Sequence, residues 1–213
     1  MTESVGSGQV LVVLASARLG CTAESAPPAI APAIGSMVAP AAAPDKMPFS
    51  QLFTEHFRYV YNTLRRLGVH GNDLEDSTHD VFLAVYRHLS EWDPARPVRP
   101  WLFAFAYRTA STHRRQARRR HEFTDSDLEA LSTEPDPLER LVEARQLVLV
   151  QNALLAVALE QRAVFILHEL DETPMPETAQ ALGIPLNTGY SRLRTARRKF
   201  DAALERLQQR GGK

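Results

Sequence analysis

From Pro48 onward, the apolar residues of this chain return at three- and four-residue steps. No segment alternates apolar with polar over the length of a strand. A period near 3.6 buries one face of a helix, whereas a half-buried strand needs a period of two. The pattern therefore confines the chain to an all-α architecture. Phe53, Phe57, Val60, Tyr61, Leu64 and Leu67 make the first stripe, and Gly68 and Gly71 punctuate its end. Asn72, with Glu75 three residues on, reads as a capping box. It precedes a second stripe of Leu74, Val81, Phe82, Val85, Leu89 and Trp92. Asp93–Pro100 reads as a proline-rich loop, because proline blocks helix continuation. A third helix is expected from near Trp101, with Leu102, Phe105 and Ala106 turned inward. Further helices are expected over Leu138–Leu159, Gln161–Leu170, Glu177–Leu182 and Asn187–Leu207.

Composition divides the chain. Residues 1–46 are rich in Ala, Pro, Gly and Ser, and Ala26–Pro44 carries no charge, so this part is expected to be a disordered leader. The apolar run Val10–Ala15 ahead of Cys21 is not preceded by a basic residue, which argues against a secretion signal. Residues 47–121 form a first helical domain, 122–137 an acidic linker, 138–208 a second helical domain and 209–213 a tail. With 44% of its 213 residues hydrophobic, the chain can build real cores. One cysteine permits neither a disulfide framework nor a cysteine zinc cluster, which fits a reducing cytoplasm. No apolar run reaches the roughly 18–20 residues of a membrane-spanning helix. The seven histidines hold no His-Glu-x-x-His pair, His168-Glu169 lacks its second His, and there is no phosphate-binding glycine loop. The expectation is a protein that is not an enzyme, without metal, cofactor or small-molecule substrate.

Formal net charge is zero, yet charge is strongly segregated. From Ala95 to His121 there are eight arginines and no acid: Arg96, Arg99, Arg108, Arg114, Arg115, Arg118, Arg119 and Arg120. Tyr190–Phe200 holds Arg192, Arg194, Arg197, Arg198 and Lys199, again without an acid. The acids Glu122, Asp125, Asp127, Glu129, Glu134 and Asp136 lie between. Two basic surfaces suggest two contacts with a polyanion. The second coincides with a helix-turn-helix pattern. Glu177–Leu182 is a short helix, Gly183 ends it, Ile184 anchors the turn, and Asn187 is expected to cap a longer helix. Leu193, Ala196 and Phe200 form the buried side of that helix. Its other side presents Tyr190, Ser191, Arg192 and Arg194, with Thr188 in its first turn. In this motif the second helix enters the major groove, where arginine pairs with guanine. Arg197 and Arg198 lie further along, at phosphate reach.

The run Gln161-Arg162-Ala163-Val164-Phe165-Ile166-Leu167-His168-Glu169-Leu170, followed by Glu177 to Pro185 and by Ser191 to Arg197, resembles region four of the extracytoplasmic-function (ECF) sigma factors. Asp73 to Leu83 resembles their polymerase-binding helix in region two, and Arg99-Pro100-Trp101-Leu102-Phe103 the start of the helix that handles the melted promoter. The resemblance covers about residues 48–121 and 138–207. It implies a factor that binds core RNA polymerase and promoter DNA and directs promoter-specific initiation. Asp73, Glu75, Asp76, His79 and Asp80 would meet the polymerase, where charge complementarity speeds assembly. Arg96, Val98, Arg99, Trp101, Arg108, Arg114, Arg115 and Arg118 would handle the minus-ten element. Asn187, Thr188, Tyr190, Ser191, Arg192, Arg194, Arg197 and Arg198 would read the minus-thirty-five element. The family commonly has an anti-sigma factor, so such a partner is expected too.

The chain departs from the family pattern at four places, one of them the leader before Pro48, which has no family counterpart. Gly189-Tyr190 stands where the family has a β-branched and then a basic residue. Pro174 and Pro176 interrupt the approach to the first helix of the helix-turn-helix. Ser77 and His79 replace the usual Leu and Gln, which points to weaker binding at the polymerase. Two alternatives stay open: a degenerate sigma-like adaptor, and an ordinary helix-turn-helix regulator.

Overall fold

The structure is a computed structural model that describes residues 47–120 and 139–211. The leader, the acidic linker and the last two residues lie outside the described residues. Among the described residues every regular element is helical.

Three helices build the first bundle: α1 (Phe49–Leu67), α2 (Asp73–His88, followed by a 3-10 turn, Leu89–Glu91) and α3 (Val98–Arg120). Leu52, Val60 and Leu64 from α1, Val81, Phe82 and Val85 from α2, and Leu102, Phe103 and Ala106 from α3 close its core. The Phe53 and Phe82 rings meet edge-on at 4.7 Å, a favoured aromatic arrangement.

The second bundle holds α4 (Glu139–Leu155), α5 (Leu159–Phe165), α6 (Met175–Leu182) and α7 (Leu186–Gly211). A π turn, Ile166–Leu170, continues α5. Leu154, Ile166, Leu167, Leu193, Ala196 and Phe200 make this core.

Several helix limits and caps differ from the sequence reading; the helix expected over Leu138–Leu159 ends at Leu155, and the next begins at Leu159. The third helix starts at Val98 rather than near Trp101, because Pro100 stands in its first turn, where a missing N–H costs nothing. The same physics places Pro176 in the first turn of α6, which starts at Met175 with Pro174 as its N-cap. Those two prolines thus begin this helix instead of interrupting it. The capping box at Asn72 and Glu75 does not form: Asn72 is already helical and makes no side-chain cap. Gly71 supplies the acceptor instead, its carbonyl taking the Leu74 N–H at 3.2 Å. Asn187 lies inside α7, and the Pro185 carbonyl accepts from Gly189 at 3.0 Å.

The two bundles share one continuous apolar core, and polar contacts add to the join. α1 ends at Gly68, whose φ of 101° is the left-handed conformation that favours glycine. A Cβ there would stand 2.8 Å from Nη1 of Arg162. Arg162 is 4% exposed. It donates from Nη1 to the Leu67 carbonyl at 2.9 Å and from Nη2 to those of Leu155 and Val157, both at 2.8 Å. Burial, helped by the nearby Arg114 charge, pushes its pKa down to about 10. Gln151 Nε2 donates to the Arg65 carbonyl at 2.5 Å. One guanidinium and one amide therefore satisfy carbonyls at the ends of α1 and α4, where helices leave acceptors unmatched.

Arg162→Leu removes those donors and leaves buried carbonyls dry. We expect a loss of about 3 kcal/mol, the scale of charge-assisted bonds plus unmatched acceptors. Urea unfolding checks this, and a loss below about 0.5 kcal/mol, the scale of a neutral surface substitution, would contradict the role given to Arg162.

Candidate nucleic-acid interface

The turn between α6 and α7 is built as the helix-turn-helix requires. Gly183 is left-handed (φ 64°, ψ 38°). The Ile184 N–H reaches the Ala179 carbonyl at 2.9 Å and the Gly183 N–H that of Gln180 at 3.1 Å, which closes the end of α6. On α7, Asn187, Tyr190, Ser191, Arg194, Arg197 and Arg198 are exposed, while Thr188 and Arg192 are half-buried. Arg197 is tied to Glu169 through both Nε and Nη2, the former at 3.0 Å. Gly189 is buried against α6: a Cβ there would come within 2.8 Å of the Met175 sulfur. This unusual glycine makes room for a methionine on the neighbouring helix.

The arginine-rich surface belongs to α3 and the loop before it. Arg96 is exposed beside Asp93 (3.7 Å), and Val98 is half-buried. The Arg99 guanidinium lies over the Tyr59 ring, 5.4 Å from its centre. Trp101 is half-buried between Trp92 (6.2 Å) and Phe105 (5.1 Å). Phe103 and Phe105 are core, so Trp101 and half-buried Tyr107 keep the accessible ring surface on this helix. Arg108, Arg115 and Arg118 are exposed, and Arg114 is half-buried.

The candidate polymerase residues Asp73, Glu75, Asp76, His79 and Asp80 are all exposed on α2. Asp73 accepts from or pairs with His113 Nε2 at 2.8 Å. Ser77 is buried, so its replacement of Leu concerns this chain's own core rather than a partner's surface. Sequence reasoning passed over Leu83 and Tyr86, large apolar residues 54% and 44% exposed further along the same helix.

It also missed a cluster between the bundles. The Tyr59 hydroxyl donates to Asp171 Oδ2 at 2.7 Å, and Arg66 lies 3.7 Å from the same carboxylate. Burial raises the pKa of Asp171 against the lowering effect of Tyr59, Arg66 and Arg99. Burial, followed by the Asp171 charge, raises that of Tyr59. The one signal in the sequence was Arg162 itself, a charge at helical spacing between Leu159 and Ile166 on an apolar face.

Two helical domains, one carrying a helix-turn-helix and the other a basic helix with half-buried aromatics, define a DNA-binding factor. Comparison with known proteins places it. The Sigma-70 region 2 family profile matches residues 52–120, and that of Sigma-70, region 4 matches residues 147–200. The RNA polymerase sigma factor NccH of Alcaligenes xylosoxydans xylosoxydans is 33% identical over 79% of this chain and 92% of its own length. The RNA polymerase sigma factor CnrH of Cupriavidus metallidurans is 27% identical over 79% and 93%. Among solved structures, CnrH in complex with the cytosolic domain of CnrY matches with a TM-score of 0.50 and 25% identity, over 74% of this chain and 87% of that one. The sigma factor RpoE with the anti-sigma factor NepR from Bartonella quintana shares the fold, with a TM-score of 0.58 and 19% identity over 74% and 96%.

The chain belongs to the sigma-70 family, among its ECF members. It is an RNA polymerase sigma factor, which binds core RNA polymerase and promoter DNA and directs promoter-specific initiation. Nothing favours the adaptor or the ordinary regulator.

The contact of Gly189 with Met175 can be measured. In a Met175→Ala background, Gly189→Ala should stabilise by about 1 kcal/mol, the propensity difference in a helix. In the native background it should stabilise by less. Equal gains in thermal unfolding of the two pairs would show that the two residues do not interact.

Proposed function

We propose that promoter recognition is divided between α7 and α3, with α2 as the anchor on polymerase. The observation that carries this reading is the placement of Tyr190, Ser191 and Arg194 exposed on the first turns of α7, next to a properly closed turn. Arginine there suits guanine edges, and Ser and Tyr suit bases or phosphates. Arg198 continues onto phosphates, and Arg197 joins it once released from Glu169. On α3, Arg99 and Trp101 take the unstacked edge of the minus-ten element, and Arg108, Arg114, Arg115 and Arg118 the strands beyond it. Residues 47–121 thus act as region two, 122–137 as a linker and 138–208 as region four.

Two promoter elements about 25 base pairs apart are separated by roughly 85 Å of duplex at ~3.4 Å per pair. A helix as long as α3 spans only about 35 Å. Both elements are engaged only when the two bundles part, so the Arg162, Gln151 and Asp171 contacts release during assembly with polymerase. The sigma factor CnrH is in complex with the cytosolic domain of CnrY, and RpoE with the anti-sigma factor NepR. A partner of that kind would keep this chain from polymerase. No helix among the described residues is long and apolar enough to cross a membrane. We place the protein in the cytoplasm with the polymerase it serves, as an initiation factor that performs no catalysis itself.

Run-off transcription with bacterial core polymerase tests the assignment. Replacing Arg192 and Arg194 together by Ala should lower initiation at a mapped promoter at least about tenfold, the scale of one lost base contact. Core binding should be unchanged. Full initiation by this double variant would show that α7 does not read the promoter.

A further inference from the structure

Between α3 and the α4–α5 junction lies a cleft of about 560 Å³, within the range of small-molecule sites. Its α3 wall carries Tyr107, Arg108, Arg114, Arg115 and Arg118, and Glu160 stands on the opposite wall. Four guanidiniums thus face one carboxylate. Behind them, Arg162 adds a fifth cation, and its bonds go to main-chain carbonyls rather than to an acid. The charges of both Arg114 and Glu160 are felt at Arg162, and among the described lining residues the cations outnumber the one acid. Arg115 donates to Thr112 Oγ1 at 3.2 Å, which leaves most of its donors for another acceptor.

Arg114, Arg115 and Arg118 fall within about one helical turn, roughly 6 Å along the axis. That spacing suits consecutive phosphates, and a guanidinium fork matches phosphate oxygens in pairs. Tyr107 offers a ring for stacking in the same lining. A lone carboxylate opposite a phosphate site is suited to accept from ribose hydroxyls, as acids do in dinucleotide sites. We propose that this cleft binds a nucleoside polyphosphate between the two domains. The phosphates lie on the α3 arginines, the base on Tyr107 and the ribose toward Glu160. A ligand that touches both walls binds the closed form alone and shifts the population toward it. It would therefore hold the factor back from promoters, using the arginines that promoter phosphates would otherwise occupy.

The test is calorimetric titration of the full chain with ATP and, separately, with tripolyphosphate, in the absence of polymerase and DNA. Its failure would leave the promoter assignment untouched. ATP should bind once per chain and more tightly than tripolyphosphate. Arg114→Ala should weaken both by about tenfold. Tyr107→Ala and Glu160→Ala should each erase the advantage of ATP over tripolyphosphate. Arg206→Ala, which removes an exposed cation elsewhere on α7, should change neither. A doubly substituted Gln151→Ala, Asp171→Ala chain, shown by small-angle scattering to be more extended and by circular dichroism to keep its helices, should lose ATP binding. Three results would overturn the proposal: equal affinity for ATP and tripolyphosphate in the native chain, unchanged binding by Arg114→Ala, or undiminished binding by the extended chain. The last would mean that α3 is a general phosphate-backbone surface and not one wall of a site.

Discussion

A guanidinium inside a protein must find acceptors for its donors, and Arg162 finds them at the ends of two helices. The carbonyls of Leu67, Leu155 and Val157 surround it. Each lies where a helix or turn finishes and the main chain has acceptors to spare. The negative end of a helix dipole also favours a cation at that place. Dehydrating the charge is costly, and the fall of its pKa to about 10 reflects that cost. Several charge-assisted bonds in a dry site offset it. Gly68 completes the arrangement, because any side chain there would strike Nη1. One buried cation therefore ties α1, α4 and α5 together, and with them the two bundles.

Further polar contacts lie at the junction, beside apolar residues that join the two cores into one cluster. Gln151 binds a carbonyl of α1, and Tyr59 and Arg66 bind Asp171. The polar groups can be taken over by water when the surfaces separate, whereas exposing the apolar part of the junction costs roughly 25 cal/mol per Å². Arg99 illustrates the connection: the residue assigned to the promoter edge rests on the Tyr59 ring, whose hydroxyl reaches the other bundle. One tyrosine thus touches both the junction and the residue assigned to the promoter edge.

The departures from the family pattern acquire physical reasons in three dimensions. Gly189 costs helix propensity, and it allows Met175 to sit against α7. Pro174 and Pro176 look like breakers in one dimension, yet both stand where a helix has no N–H to lose. Ser77 is buried, so it belongs with Thr78 among the polar residues of the first core rather than on the surface that meets polymerase. Of these, Gly189 is an adjustment to a neighbour on another helix, whereas the prolines answer to the start of their own helix.

Periodicity was enough to establish helices, their approximate limits and their apolar faces, because helix amphipathicity is a local property written at 3.6 residues per turn. Charge segregation and the Gly183 turn likewise disclosed both basic surfaces and the helix-turn-helix. Caps were less legible. Asn72 and Asn187 have the right chemistry, but Gly71 and Pro185 hold the positions, since one residue's shift in helix start changes which carbonyl is needed. What only the tertiary structure decided is how the two bundles meet: Arg162 against Leu67, Gln151 against Arg65, and Tyr59 against Asp171, 112 positions apart. No local rule encodes such pairs. Their strength comes from the loss of water on both sides at once, and that exists only after the helices have come together.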